Sequence, residues 1–231
     1  MPANSSANPA ANPGATPTRA SRSAALWGAA LLAPLFLWSL VHPTDSLTWF
    51  LESVPVIVTV PLLAFTFRRF PLTPLAYSLI ALHAAVLLVG GHYTYAEVPL
   101  FNWLRDAFGF ARNHYDRLGH FMQGAVPAIL AREVLLRRSP LKNGKWLFFL
   151  VTCVCLAISA GYELVEWLSA VLLGQGADAF LGTQGDPWDT QWDMFMCLVG
   201  ALSSQLALGC WHNRQIVRLG GVGAAGEGVV G

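Results

Sequence analysis

The chain has 231 residues, 55% of them hydrophobic and only 12% charged, with a formal net charge of +1. Soluble domains carry roughly 25% charged residues, so half that share, with nine tryptophans and thirteen phenylalanines, excludes an ordinary water-soluble globule. The small net charge supplies no field that would gather nucleic acid.

Residues 1–23 are Ala, Pro, Asn, Ser and Thr, with Arg19 and Arg22 as the only charges. They offer no core-forming side chains, which predicts a disordered tail. Six apolar segments follow: residues 24–41; 47–67, interrupted by Glu52, Pro55 and Pro61; 75–91, carrying His83; 118–136, the least apolar; 146–168; and 194–211. Each is near the ~20 residues that cross a ~30 Å hydrocarbon layer as a helix. Backbone polar groups cannot stay unpaired in lipid, and the segments are too long and too uniformly apolar for barrel strands. The expected fold is therefore all-α: a polytopic membrane bundle of about six transmembrane helices over residues 24–211, with 212–231 as a C-terminal tail. The first segment is long for the apolar part of a signal peptide and reads as an uncleaved helix.

Lysine and arginine set the orientation. Arg19, Arg22, Arg68, Arg69, Arg132, Arg137, Arg138, Lys142, Lys145, Arg214 and Arg218 fall on one side of a six-helix arrangement, and only Arg105, Arg112 and Arg117 fall on the other. The positive-inside rule places the larger group, and with it both termini, in the cytoplasm. The acids do the reverse. All but Glu133 and Glu227 belong to the outer half, and acids contribute little to insertion, so this asymmetry needs its own cause. The longest outer connection, 92–117, contains a stretch at 98–111 that suits a short amphipathic helix in the interface. Its aromatics read either as an interfacial belt or as a lid over an outer site. Cys153, Cys155, Cys197 and Cys210 lie within apolar runs and read as small packing residues rather than as a disulfide or metal set.

Three stretches concentrate chemistry. His114-Tyr-Asp116-Arg117-Leu-Gly-His120-Phe-Met-Gln123 opens the fourth helix. Gly161-Tyr-Glu163-Leu-Val-Glu166-Trp167 ends the fifth. Gly182-Thr-Gln-Gly185-Asp186-Pro-Trp-Asp189-Thr-Gln-Trp-Asp193-Met enters the sixth. Asp116 and His120, Glu163 and Glu166, and Asp189 and Asp193 are each three or four apart and share a helix face. By the topology above, all three faces reach the outer level of the membrane. An acid in the membrane costs about 2.5–3.5 kcal/mol on the insertion scale, so such a group needs protonation, a cation or a metal ion. A carboxylate/histidine set suits Mg²⁺, Mn²⁺, Ca²⁺ or Zn²⁺. The expected metal ligands are Asp116, His120, Glu163, Glu166, Asp189 and Asp193. Glu163, Glu166 and His120 are the candidate acid/base groups, and Arg117 is the candidate phosphate partner. Plainer readings also fit: Asp116 and Asp189 as helix N-caps, His120 and His83 as interhelical hydrogen bonders, Asp186 and Asp178 as loop residues, and Glu133 as the ion-pair partner of Arg132.

These three motifs resemble the YjdF family of bacterial inner-membrane proteins, over about residues 26–211. The resemblance implies a multi-pass inner-membrane location and brings no reaction, cofactor or substrate with it. There is a weaker likeness to VanZ-type envelope proteins, in which an Asp and His open one helix, a Glu follows in the next and an Asp opens a third before a Gly-containing helix. Asp116/His120, Glu163/Glu166, Asp189/Asp193 and Gly200 would match that pattern. The functional expectation is an inner-membrane protein whose outer carboxylate/histidine site acts on a lipid-linked or envelope substrate. A cation- or proton-coupled transporter and a structural membrane subunit are the alternatives. Against the transporter, the sequence shows no inverted repeat and no second charged site on the cytoplasmic half.

Overall fold

The structure is a computed structural model that describes residues 16–174 and 178–220. Eight helices are present among these residues: α1 (Arg19–Ser39), α2 (Ser46–Thr66), α3 (Pro74–Tyr93), α4 (Pro99–Phe108), α5 (Tyr115–Arg138), α6 (Lys145–Leu173), α7 (Asp178–Leu181) and α8 (Asp189–Arg218). No strand occurs among them. The tail expected at the N-terminus lies outside the described residues as far as residue 15, and the C-terminal end lies outside them from residue 221.

Local chemistry sets the helix starts. Thr18, Asp45 and Thr73 cap α1, α2 and α3 by accepting from the backbone N–H of Ser21, Thr48 and Ala76. Pro74 and Pro99 take the first position of α3 and α4, where a missing N–H costs nothing. The Thr18 cap starts α1 five residues before the apolar run begins. At the other end, α8 continues to Arg218, past the expected span end at residue 211. The reason lies in its last turns: His212 and Gln215 are buried and hydrogen-bonded to the interior.

α1, α2, α3, α6 and α8 are each long and apolar enough to cross a membrane. α5 is long enough at 24 residues but too polar by composition, and it is the helix that the bundle encloses. It packs most extensively on α8 and also against α3 and α6, while α1 and α2 are held through α3. A polar spanning helix is tolerated when its charges face protein rather than lipid. The molecule is thus an all-helical, polytopic membrane protein built around a polar central helix.

The α5–α8 contact is made backbone to backbone. A Cβ on Gly124 would lie 1.9 Å from the Cys197 carbonyl oxygen, and one on Gly200 would lie 2.0 Å from the Phe121 carbonyl oxygen. Ser204 Oγ then donates to the Ala125 carbonyl at 2.7 Å. Small residues that admit such an approach are the usual means of helix association in lipid, where no hydrophobic force acts between helices. Of the four cysteines, Cys155 and Cys197 are buried near this contact and Cys153 and Cys210 are exposed, all as free thiols.

The cytoplasmic half corrects two expectations. Glu133 does not pair with Arg132, because adjacent helical residues point about 100° apart. Its carboxylate accepts from Arg137 at 2.6 Å, one turn on, from His212 Nε2 at 3.0 Å, and from the Thr73 hydroxyl at 2.8 Å and N–H at 3.0 Å. Arg132 donates instead to Asn143 and Asn213. A second buried charged cluster therefore does exist on this side, and it ties α3, α5 and α8 together. Glu133 is the shared acceptor at its centre, and Arg137 also donates to the Pro71 carbonyl at 2.7 Å.

Candidate functional site

The outer ends of α2, α5, α6 and α8 converge, and the α4–α5 linker and the loop before α8 fix the convergence. Asn113 is fully buried. Its amide nitrogen donates to the Val98 carbonyl and to Asn102, and its oxygen accepts the N–H of Tyr115. Gln184 pairs with the Asn113 backbone in both directions, with both bonds at 2.9 Å. The loop before α8 is thereby docked on the start of α5. Gly119, inside the first motif, is the one residue type that fits beneath Tyr95. A Cβ there would lie 2.8 Å from the Tyr95 ring.

Two guanidinium groups hold the rim. Arg112 is buried and bonds to Asp189, reaches Asp186 at 3.5 Å and Asp116 at 3.6 Å, and donates to the Gly182 carbonyl at 3.2 Å. Arg117 donates to Asp186 at 3.0 Å and lies over the Trp192 ring at 5.1 Å. Burial, with Arg117 and Arg112 nearby, holds the imidazole of His114, just outside α5, below the usual range.

Inside this rim lies His120, one turn along α5 from Asp116. Its Nε2 faces Asp116 Oδ1 at 3.4 Å and Asp193 Oδ2 at 3.9 Å, while its Nδ1 faces Gln123 Oε1 at 3.2 Å and Glu163 Oε1 at 3.9 Å. Two compact groups share this ring, Asp116–His120–Asp193 and His120–Glu163–Glu166, each with its ligand-type atoms within 4.8 Å of one another. Asp193 Oδ1 and Glu163 Oε1 are buried and have no hydrogen-bond partner among the described residues.

Of the expected site residues, Asp116, His120, Glu163, Glu166 and Asp193 meet around one imidazole. Asp189 lies in neither group and pairs with Arg112. Arg117 faces Asp186 rather than His120. Asp116 and Asp189 sit in the first turns of α5 and α8, whose cap positions are His114 and Trp188, and neither is an N-cap. Asp186 is not a freely solvated loop acid: it receives both arginines and the Trp188 N–H. Among the described residues His83 makes no interhelical hydrogen bond, and its Nε2 is buried and unpaired. The Asp178 side chain lies outside the described residues.

The site opens on a cavity of about 280 Å³ between α2, α3, α5 and α6. Asp116, His120, Glu166 and Glu52 stand at its outer end, and Val56, Ile80, Ala84, Val126 and Leu130 form its walls. Glu52 is buried and accepts the Tyr162 hydroxyl at 3.0 Å.

Sequence reasoning missed Arg112, Glu52, Tyr95 and Asn113. For Arg112 a signal existed, since it precedes Asp116 by four and is one of three basic residues on the outer side.

Comparison with known proteins fixes the family. A family model described as "Predicted membrane protein (DUF2238)" matches residues 24–214. The chain belongs to the DUF2238 family. It is 53% identical over 192 residues to "Inner membrane protein YjdF" of Escherichia coli (strain K12), which covers 83% of this chain and 92% of that protein. No solved structure matches it. This DUF2238 member is thus a multi-pass inner-membrane protein, and all three acidic motifs fall within the part that the family shares.

Proposed function

We propose that Asp116, His120 and Asp193 hold one divalent cation at the outer end of the bundle, and that the site acts on the polar end of an envelope lipid. The observation that carries this reading is the pair of carboxylates on His120 Nε2, one of which keeps a buried oxygen with no hydrogen-bond partner among the described residues. Ligands of a tetrahedral ion with bonds of ~2.0 Å stand roughly 3.3 Å apart, close to the 3.4 Å and 3.9 Å found here. The other ring nitrogen faces Gln123 at 3.2 Å. Metal-ligating histidines commonly give that N–H to a neighbouring carboxylate or carbonyl, which fixes the tautomer.

Charge balance supports the same reading. Glu52, Asp116, Glu163, Glu166, Asp186, Asp189 and Asp193 gather against the guanidinium groups of Arg112 and Arg117 alone. A divalent ion offsets part of that excess where solvent cannot. The mixed nitrogen and oxygen donors favour Zn²⁺ or Mn²⁺ over Ca²⁺. Glu166, on the cavity wall beside His120, is placed to take a proton from a water or hydroxyl, and Glu163 is placed to complete or orient the ligand set. A bound ion would supply Lewis-acid activation of a phosphate or of the attacking water.

Elemental analysis of the purified full chain, loaded with Zn²⁺ or Mn²⁺ and desalted, tests this. A stoichiometric ion is expected in the wild type, with loss in Asp116→Asn, His120→Gln and Asp193→Asn. The wild type without metal under all loadings would overturn the reading, and proton uptake into vesicles by that same protein would favour the carrier alternative.

A further inference from the structure

α2 packs on α3, and α6 packs on α5 and α8, but α2 and α6 make almost no direct contact with one another. Both nevertheless line the same cavity, α2 with Glu52, Pro55, Val56 and Thr59 and α6 with Ile158, Tyr162 and Glu166. The seam between them is bridged at its outer end by the Tyr162–Glu52 hydrogen bond and by α7, which touches both helices and whose Phe180 lies 6.2 Å from the Tyr162 ring. Below that bridge nothing among the described residues closes the seam. Ile158 belongs to the cavity wall and is also 43% exposed. Val154 and Val165, four before and seven after it on the same face of α6, are exposed and apolar, as is Val58 on α2.

The cavity is a slot rather than a cup. Its wall on α5 runs from Asp116 to Leu130, about 21 Å of helix at 1.5 Å per residue. It therefore reaches from the acidic rim past the middle of a ~30 Å hydrocarbon layer. Polar groups cluster at the outer end, and below them the walls are apolar apart from Gln123, Thr59 and His83.

From this geometry we infer that the α2/α6 seam is a lateral entrance through which one acyl chain of a bilayer lipid enters the cavity, bringing its headgroup beneath Asp116, His120 and Glu166. The inference deepens the metal-site reading by naming its substrate as an amphiphile taken from the membrane, and it rests on that reading only for the chemistry at the headgroup. The occupant follows from position. The entrance faces hydrocarbon, the slot is continuous with the lipid-exposed surface of α6, and its apolar depth suits a chain and not a hydrated solute. Tyr162 and Glu52 act as a latch above the entrance. Opening that hydrogen bond leaves α7 alone across the outer end of the seam and does not touch the α5–α8 contact that carries Asp116, His120 and Asp193.

The test is photolabelling of the full chain in vesicles of a phosphatidyl lipid that carries a diazirine in its acyl chain, with adducts mapped by mass spectrometry. Adducts are expected on Thr59 and Ile158, and on the interior residues Ile80 and Leu130. In Ile158→Trp, which narrows the entrance, the interior adducts fall to background while adducts on Val154 persist. Thr59→Trp narrows the seam from the other helix and gives the same result should the first variant fold poorly. A wild type labelled only at lipid-exposed positions would overturn the inference, and so would interior labelling that both variants leave intact. Metal content, measured on the same samples, separates the two readings. Interior labelling without metal would keep the lateral entrance and remove the metal site; metal without interior labelling would do the opposite.

Discussion

Gly200→Ala adds one methyl group at the place where α5 and α8 touch. The new Cβ would lie 2.0 Å from the Phe121 carbonyl oxygen and 3.0 Å from the Ala125 nitrogen, whereas ordinary contacts begin near 3.4 Å. The obstruction is backbone, so no side chain can rotate away, and the two helices must separate by about 1.4 Å at that level. Overpacking of this kind costs about 1–3 kcal/mol, with the upper end expected because the 2.7 Å bond from Ser204 to Ala125 is stretched as well. At about 2–4 °C per kcal/mol for a chain of this size, thermal unfolding in detergent should fall by on the order of 5–10 °C. Asp193 lies two turns before Gly200 on α8, and His120 is the residue before Phe121 on α5, so the separation also widens the 3.9 Å approach of Asp193 to His120. Metal affinity should therefore fall along with stability. Gly161→Ala on α6 is the control: a Cβ there meets nothing within 4 Å, and its melting should equal or slightly exceed wild type. A Gly200→Ala protein that melts with wild type would refute the claim that the two backbones cross in contact at this point.

Arg112→Met should destabilise by about 3–5 kcal/mol, because Asp189 and Asp116 remain buried without their cation. Arg112→Lys should recover only part of this, since an ammonium cannot fork to several acceptors; equal melting of both variants and wild type would remove the arginine from the account. Asp45 caps α2, and the Thr48 backbone N–H, its main influence, holds its carboxyl below the ordinary range. Its contribution is therefore fully present above about pH 4 and is lost as pH falls through its lowered value. Asp45→Asn keeps the cap and should flatten that acid limb, while Asp45→Ala should cost about 0.5–1 kcal/mol at neutral pH; unchanged acid limbs in thermal melts would contradict the cap. Reporter fusions after Asn143 and after Gly185 should report opposite sides of the membrane, cytoplasmic and outer, and a shared side would break the topology.

Much of the fold was legible because lipid imposes a coarse rule, that spans must be apolar and helical, and the chain obeys it at every segment except α5. α5 was still recognisable as the least apolar segment, though its central position followed only from packing. The pairs within one helix, Asp116 with His120 and Glu163 with Glu166, were legible because 3.6-residue periodicity is a local property. Partners between helices were not. That Arg112 rather than Arg117 would hold Asp189, that Glu133 would choose Arg137 and His212 over its neighbour Arg132, and that Glu52 of α2 would meet Tyr162 of α6 all depend on rotation and depth between helices, which a single sequence does not encode in any local pattern. Asn113 was unreadable for a related reason, because its role is to satisfy backbone groups of a loop whose path was unknown.

Pulsed EPR of the Mn²⁺-loaded protein tests the central claim most directly, since it reports whether a nitrogen touches the ion. The account predicts a nitrogen coupling from one directly bound imidazole, which disappears in His120→Gln. An ion that shows only water couplings, or a nitrogen coupling that survives His120→Gln, would contradict it.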